Sequence, residues 1–349
     1  MLRKRHSWRL GLAAGVWMLA ATPCWSGDLD NEPFEVRLWA AMSRSISSTD
    51  AIGRQASVAY LSASSDNPAG TDLRDVRGED TKRFFCAGTH HVVFDDGAWI
   101  AAADANGFFR LDSAGTLLLG YNHIGLVDGQ TRQGFNDDLS YNEFAVKYGR
   151  RIHPKGYVGI GFRLRDMSME YGDLYLGAPR DTNNDSIAGS FTLGGMWRPN
   201  GDLTLGILTE VGWIGSDVEG QVHLPGFDVP FQLDLTTQTV NAKMGLGWKI
   251  VPMIAVYADG QYFHLGNSMT TVDIGRFYFG GDIRLAQGIS IMAGGSVDSM
   301  AHTSVSAGLS ISMSKPSLLK VTYQHNPLPE IRQEFGTGHL VSASVVFSF

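Results

Sequence analysis

Cysteine is almost missing from this chain. It has two, Cys24 and Cys86, and the first falls in a segment that reads as a removable leader, so no internal disulfide is available to brace the fold. Basic residues are also in deficit. The leader carries Arg3, Lys4, Arg5 and Arg9 and no acids, which leaves 24 basic against 35 acidic residues and a formal charge of −11. That balance argues against nucleic acid as a partner. Beyond the leader, no apolar run approaches the roughly 20 residues that a membrane-spanning helix needs, which excludes helical spans. A phosphate-binding glycine loop is missing too, and the reading requires no cofactor.

What is present begins with the leader. "MLRKRHSWR" is a basic n-region, "LGLAAGVWMLAA" is an apolar h-region of signal-peptide length, and "TPCWSG" offers small residues for cleavage before Gly27, so residues 1–26 read as a secretory signal. The "ATP" before Cys24 is a poor match to a lipoprotein box.

The rest of the chain is dominated by a period of two. Val158, Ile160, Phe162 and Leu164 alternate with Gly159, Gly161, Arg163 and Arg165. Leu203, Leu205, Ile207, Val211 and Trp213 oppose Thr204, Gly206, Glu210 and Gly212, and Val240, Ala242, Met244, Leu246 and Trp248 oppose Thr239, Asn241, Lys243, Gly245 and Gly247. Segments of about ten residues, apolar on one face and polar on the other, separated by Asp, Asn, Gly or Pro turns, are the signature of a transmembrane β-barrel. Bilayer hydrocarbon offers no partner to backbone N–H and C=O groups, so spanning strands must pair with one another and close. The faces opposite lipid carry so much Gly, Ser, Lys and Arg that a soluble sandwich core is disfavoured.

The pattern predicts an all-β, antiparallel barrel over residues 83–349, of about 14 strands with 12 as the alternative. Strands are expected near 83–94, 97–104, 115–126, 140–152, 156–168, 186–198, 202–214, 235–249, 253–264, 270–283, 287–298, 303–313, 317–325 and 338–349. Turns at 199–202 and 249–252 suit the periplasmic side, and the longer 168–185 and 215–234 suit extracellular loops. The ending "SASVVFSF" alternates serine with apolar residues, with Val346 as the exception, and stops on Phe349. A terminal Phe on such a strand resembles the insertion signal that the barrel assembly machinery reads on outer-membrane proteins of Gram-negative bacteria.

Residues 27–82 do not alternate, and "GRQASVAYLSASSDNPAG" ends in Asn67, Pro68 and Ala69. That stretch resembles the N-terminal hatch signature of the FadL family of outer-membrane transporters for long-chain fatty acids and other hydrophobic molecules. The chain departs from the family pattern at Ser64, Ser65 and Asp66, just ahead of the Asn. The resemblance implies a plug or hatch over 27–82 inside the barrel, with Asn67, Pro68 and Ala69 in a gating turn. It also implies passive uptake of a hydrophobic small-molecule ligand and its sideways release into outer-membrane lipid.

Lumen-parity cations that could meet an acidic head group are Arg163, Arg165, Lys243, Arg276, Arg284 and Lys320, with Glu143, Glu210 and Asp282 as alternative partners for them. Phe108, Phe109 and Phe227 could form an apolar mouth patch. Two rival readings remain. A barrel enzyme is suggested by "THH" at 89–91, "YNH" at 121–123, Asp95-Asp96 and Asp137-Asp138, although none sits in a local catalytic pattern. A porin or scaffold is the other, and the long segment ahead of the first strand counts against an open pore.

Overall fold

A computed structural model describes residues 29, 32, 34–43, 67–72, 83–128, 138–175, 178–314 and 317–348. Residues 1–26, read as a leader, residues 44–66 and 73–82 of the expected hatch, and Phe349 lie outside the described residues. The strands are β1 (Arg83–Phe94), β2 (Trp99–Arg110), β3 (Thr116–Asp128), β4 (Asp138–His153), β5 (Gly156–Tyr175), β6 (Ala178–Trp197) and β7 (Leu203–Leu224). They continue as β8 (Phe227–Val251), β9 (Ile254–Gly266), β10 (Thr271–Ala286), β11 (Ile289–Asp298), β12 (Thr303–Ser314), β13 (Ser317–His325) and β14 (Gly338–Ser348). Each pairs antiparallel with its sequence neighbours, and β14 pairs with β1, which closes the ring of fourteen.

Closure follows from the alternation. Ile207, Phe162, Phe191 and Phe144 stand 62, 43, 60 and 57 % exposed on the outer wall, while their neighbours Leu208, Arg163, Thr192 and Ala145 turn inward. A closed barrel girdled by exposed apolar side chains is a transmembrane barrel. Val346 breaks the dyad because it packs inward, beside a cluster of Cys86, Phe108 and Leu118. Cys86 is a buried free thiol.

The start of β1 and the end of β14 lie at one end of the barrel, with short turns between the other strands there. At the opposite end the two segments expected as loops are strands. β5 and β6 stay paired out to Tyr175 and Ala178, and β7 and β8 out to Leu224 and Phe227. They form a crown above the membrane belt. Its outward residues are Asp166, Ser168 and Glu170 on β5 and Gln232, Asp234 and Thr236 on β8, so the apolar alternation that marks a lipid-facing strand stops although the strand does not.

Inside the crown end lies helix α1 (Phe34–Met42), with Phe34, Val36, Leu38, Trp39, Ala40 and Ala41 buried. They join inward residues such as Val92, Ile100, Ile124, Tyr141, Met167, Ile214, Phe263 and Ile274 from around the wall. This half of the lumen is therefore an apolar core, although Gly, Ser, Lys and Arg are plentiful on the inner faces elsewhere. A helix housed there needs apolar neighbours to offset its ordering entropy. The connection between β13 and β14 folds over α1 through a 3-10 turn (Pro329–Ile331) and a short helix α2 (Arg332–Phe335), burying Leu328, Ile331 and Phe335.

Candidate functional site

Three layers fill the lumen along its axis, and each places some of the residues singled out from sequence. At the terminus end, a 3-10 turn (Pro68–Asp72) lies flat on β3, β4, β5 and β6. Asn67 caps it, since its Oδ1 accepts from Ala69 N–H at 3.0 Å. The amide Nδ2 of Asn67 donates to the wall carbonyls of Gly195 (3.3 Å) and Ile207 (3.0 Å). Asp72 accepts from Thr116 Oγ1 and from Arg151 N–H, both at 2.9 Å. Asn67 and Ala69 are fully buried.

A glycine floor makes this seat possible. Gly149 faces Gly159 across β4 and β5, and Gly159 faces Gly194 across β5 and β6. A Cβ at Gly149 would collide with Thr71 and the Pro68 carbonyl, one at Gly159 with Pro68 and Ala69 backbone, and one at Gly194 with the Asn67 side chain. The sequence offers these glycines among 42, and only the register selects the three.

The middle layer is charged. Arg165 donates from Nε to Glu143 (2.9 Å) and from Nη2 to Glu210 (2.7 Å), Arg163 lies 3.5 Å from the second Glu210 oxygen, and Ser190 also donates to Glu210 (2.7 Å). Lys147, Asn122 and Asp104 join them around an 80 Å³ polar cavity. Arg163 and Arg165 thus meet the glutamates named as their alternative partners. Lys243 and Lys320 are buried on the inner wall of β8 and β13, at 4 and 6 % exposure. Arg284 is exposed near the terminus-end turn after β10 and joins no shared site.

Arg276 has a different position from the one expected of a head-group ligand. It donates to the Ala40 carbonyl (3.0 Å) and Ser43 Oγ (2.7 Å) at the C-terminal end of α1, and pairs with Glu330 of the overlying connection at 2.8 Å. Both side chains of that pair are fully buried. Arg37 of α1 makes a second, bidentate pair with Glu334. Helix and cover are thereby one unit.

The crown holds a cavity of about 570 Å³ that sequence reasoning did not find. The signal was visible in retrospect, because the alternation inverts along β8. Val229, Phe231, Leu233 and Leu235 line the cavity, while Gln232, Asp234 and Thr236 face out. Val218 and Val222 of β7 and Trp39, Glu35 and Glu32 of the α1 region complete it, with Arg180 resting over the Tyr171 and Phe231 rings at 5.9 and 5.8 Å.

Across the crown's outer surface, His223 bridges Asp181 (Nε2, 2.9 Å) and Asp228 (Nδ1, 2.8 Å). Both hydrogen bonds favour the imidazolium and hold its pKa above the ordinary value. The expected aromatic mouth patch does not assemble. Phe108 is buried at the terminus end, stacked on Phe84 at 3.8 Å, Phe109 faces out beside it, and only Phe227 lies at the crown tip. Among the histidines suspected of catalysis, His90 is buried against Asp104 at 2.7 Å, whereas His91 and His123 face outward.

No family model and no curated protein sequence matches the chain. Solved structures do. A Pseudomonas aeruginosa FadL homologue superposes with a TM-score of 0.60 at 13 % identity, covering 87 % of this chain and 98 % of that one. The Pseudomonas putida toluene transporter TodX gives 0.58 at 13 % identity over 86 and 98 %, and the Ralstonia pickettii toluene transporter TbuX gives 0.58 at 15 % over 83 and 93 %. The chain is a closed fourteen-stranded barrel of the fold shared by FadL-type transporters of hydrophobic compounds.

Proposed function

We propose that the protein is an outer-membrane channel for passive uptake of hydrophobic small molecules, long-chain fatty acids or other apolar compounds. The observation that carries this reading is the crown cavity, an apolar chamber of about 570 Å³ whose wall alternation is inverted relative to the membrane belt. Inward Val, Leu and Phe at positions raised above a bilayer have no lipid to face, and among the described residues a cavity lies between them, so an apolar ligand is what they suit. Each methylene buried there gains about 0.8 kcal/mol, which drives capture without nucleotide or ion gradient.

On this reading α1 and its cover form the plug beneath the chamber, and the Asn67 turn seals the terminus end. A plug of this kind speaks against an open porin. Sideways release finds no support in the wall itself, since every strand among the described residues is paired with both neighbours. The test is uptake of a labelled hydrophobic solute by cells carrying the protein, compared with a Leu233→Arg variant that places charge in the chamber wall. The variant should take up less than a tenth as much. Equal uptake would defeat the reading.

A further inference from the structure

We propose that the crown cavity selects uncharged apolar molecules and rejects carboxylates, with Glu32 and Glu35 as the discriminating residues. The inference rests on the uptake reading above and narrows its substrate class. Glu32 and Glu35 line the base of a predominantly apolar chamber, whose other polar lining is neutral except for Arg180, the one cation among its described lining residues. A carboxylate entering there meets two like charges and one opposite one, in surroundings where low polarity strengthens both.

The helix N-terminus does not reverse this. The positive end of a helix dipole ordinarily welcomes an anion. Here that end already has its anions, because Glu35 sits in the first turn of α1 and Glu32 two residues ahead of it. The two carboxylates are held in place by donors from opposite walls. Tyr171 O–H donates to Glu35 at 2.6 Å, and Thr270 O–H donates to Glu32. Each carboxylate retains lone pairs beyond those bonds, so a ligand hydroxyl or amine could be accepted where a second carboxylate could not.

The approach to the chamber carries the same sign. Residues 166–175, 178–185 and 217–234, which form the crown, contain nine Asp and Glu and a single Lys or Arg, Arg180. A field of one sign over an opening raises or lowers the local concentration of a charged solute well before contact. Anionic solutes are depleted at this mouth and neutral ones are unaffected.

The test uses the full mature chain in liposomes and a matched pair of probes, radiolabelled decanol and decanoate, at about pH 8 where the acid is ionised. Saturable binding above protein-free liposomes should favour decanol by about tenfold or more, the effect of one unit-charge interaction across about 10 Å at intermediate dielectric. In a Glu32→Gln, Glu35→Gln double variant that keeps the Tyr171 and Thr270 acceptors, the ratio should fall below about threefold. Equal binding of the two probes by the wild type, or an unchanged ratio in the variant, overturns the selectivity and leaves the uptake reading standing. Saturable binding of neither probe, or decanol binding that survives Leu233→Arg, overturns the uptake reading with it.

Discussion

Gly159→Val is the sharpest test of how the lumen is closed at its terminus end. A Cβ at Gly159 collides with the backbone of Pro68 and Ala69, which cannot rotate away as a side-chain tip could, so the turn must lift from the wall. Lifting it by an ångström or more breaks the five bonds that tie it down, from Asn67 to Gly195 and Ile207, from Thr71 to Thr116, and to Asp72 from Thr116 and Arg151. At about 0.5 to 1.5 kcal/mol each, the seat is worth about 3 to 7 kcal/mol. A loss of about 4 kcal/mol shifts the seated-to-lifted ratio by roughly a thousandfold. The barrel itself should survive, since its fourteen ladders do not involve the turn. The expected result is a folded, heat-modifiable barrel with raised planar-bilayer conductance and new protease sensitivity near residues 67–72. Gly195→Ala is the control, because that glycine faces outward beside Ile207 with ordinary contact distances. A folded Gly159→Val barrel with unchanged conductance and protection would refute the seating argument.

The other predictions probe the belt, the latch and the crown. Phe162→Arg on the outer wall of β5 should cost about 2 to 4 kcal/mol in urea unfolding from liposomes if it lies near the bilayer midplane, whereas Asp166→Arg, on the same face above the belt, should be near neutral; equal costs would misplace the belt. Arg276→Ala leaves Glu330 charged and buried and should cost about 3 to 5 kcal/mol, with residues 326–337 released to fast hydrogen exchange, while Arg276→Met with Glu330→Leu should recover most of it. The His223 bridge should weaken as the medium becomes alkaline. Its folded pKa lies above the unfolded value, so its contribution is complete below about pH 6.5 and is lost as pH rises through the raised value. Hydrogen exchange at the β7–β8 tip should quicken over that window, and His223→Ala should abolish the dependence.

Much of the architecture was legible because lipid imposes a simple rule. Wherever a strand faces hydrocarbon, every second side chain must be apolar, and thirteen of the fourteen strands were placed by that rule within a few residues in their membrane portions, whereas β2 was expected to end at residue 104 and runs on to Arg110. It failed where lipid ends. The crown of β5 to β8 has water outside and a chamber inside, so its alternation is inverted or lost and it reads as loop. The pairing of Arg163 and Arg165 with Glu143 and Glu210 was anticipated as one of two fates, and shared inward parity on β4, β5 and β7 is what brought them together.

Composition, charge and period two determined by themselves that the chain closes into a membrane barrel with a non-alternating segment ahead of it. Those properties are local, and solvent reads them one residue at a time. Only the tertiary structure decided that Gly149, Gly159 and Gly194 form one floor, that Arg276 latches a helix to a cover 54 residues further along the chain, and that Glu32 and Glu35 face an apolar chamber. Each of these depends on strand register and on what crosses the lumen. Register sums over every pair in the ring, and no single stretch of sequence contains it.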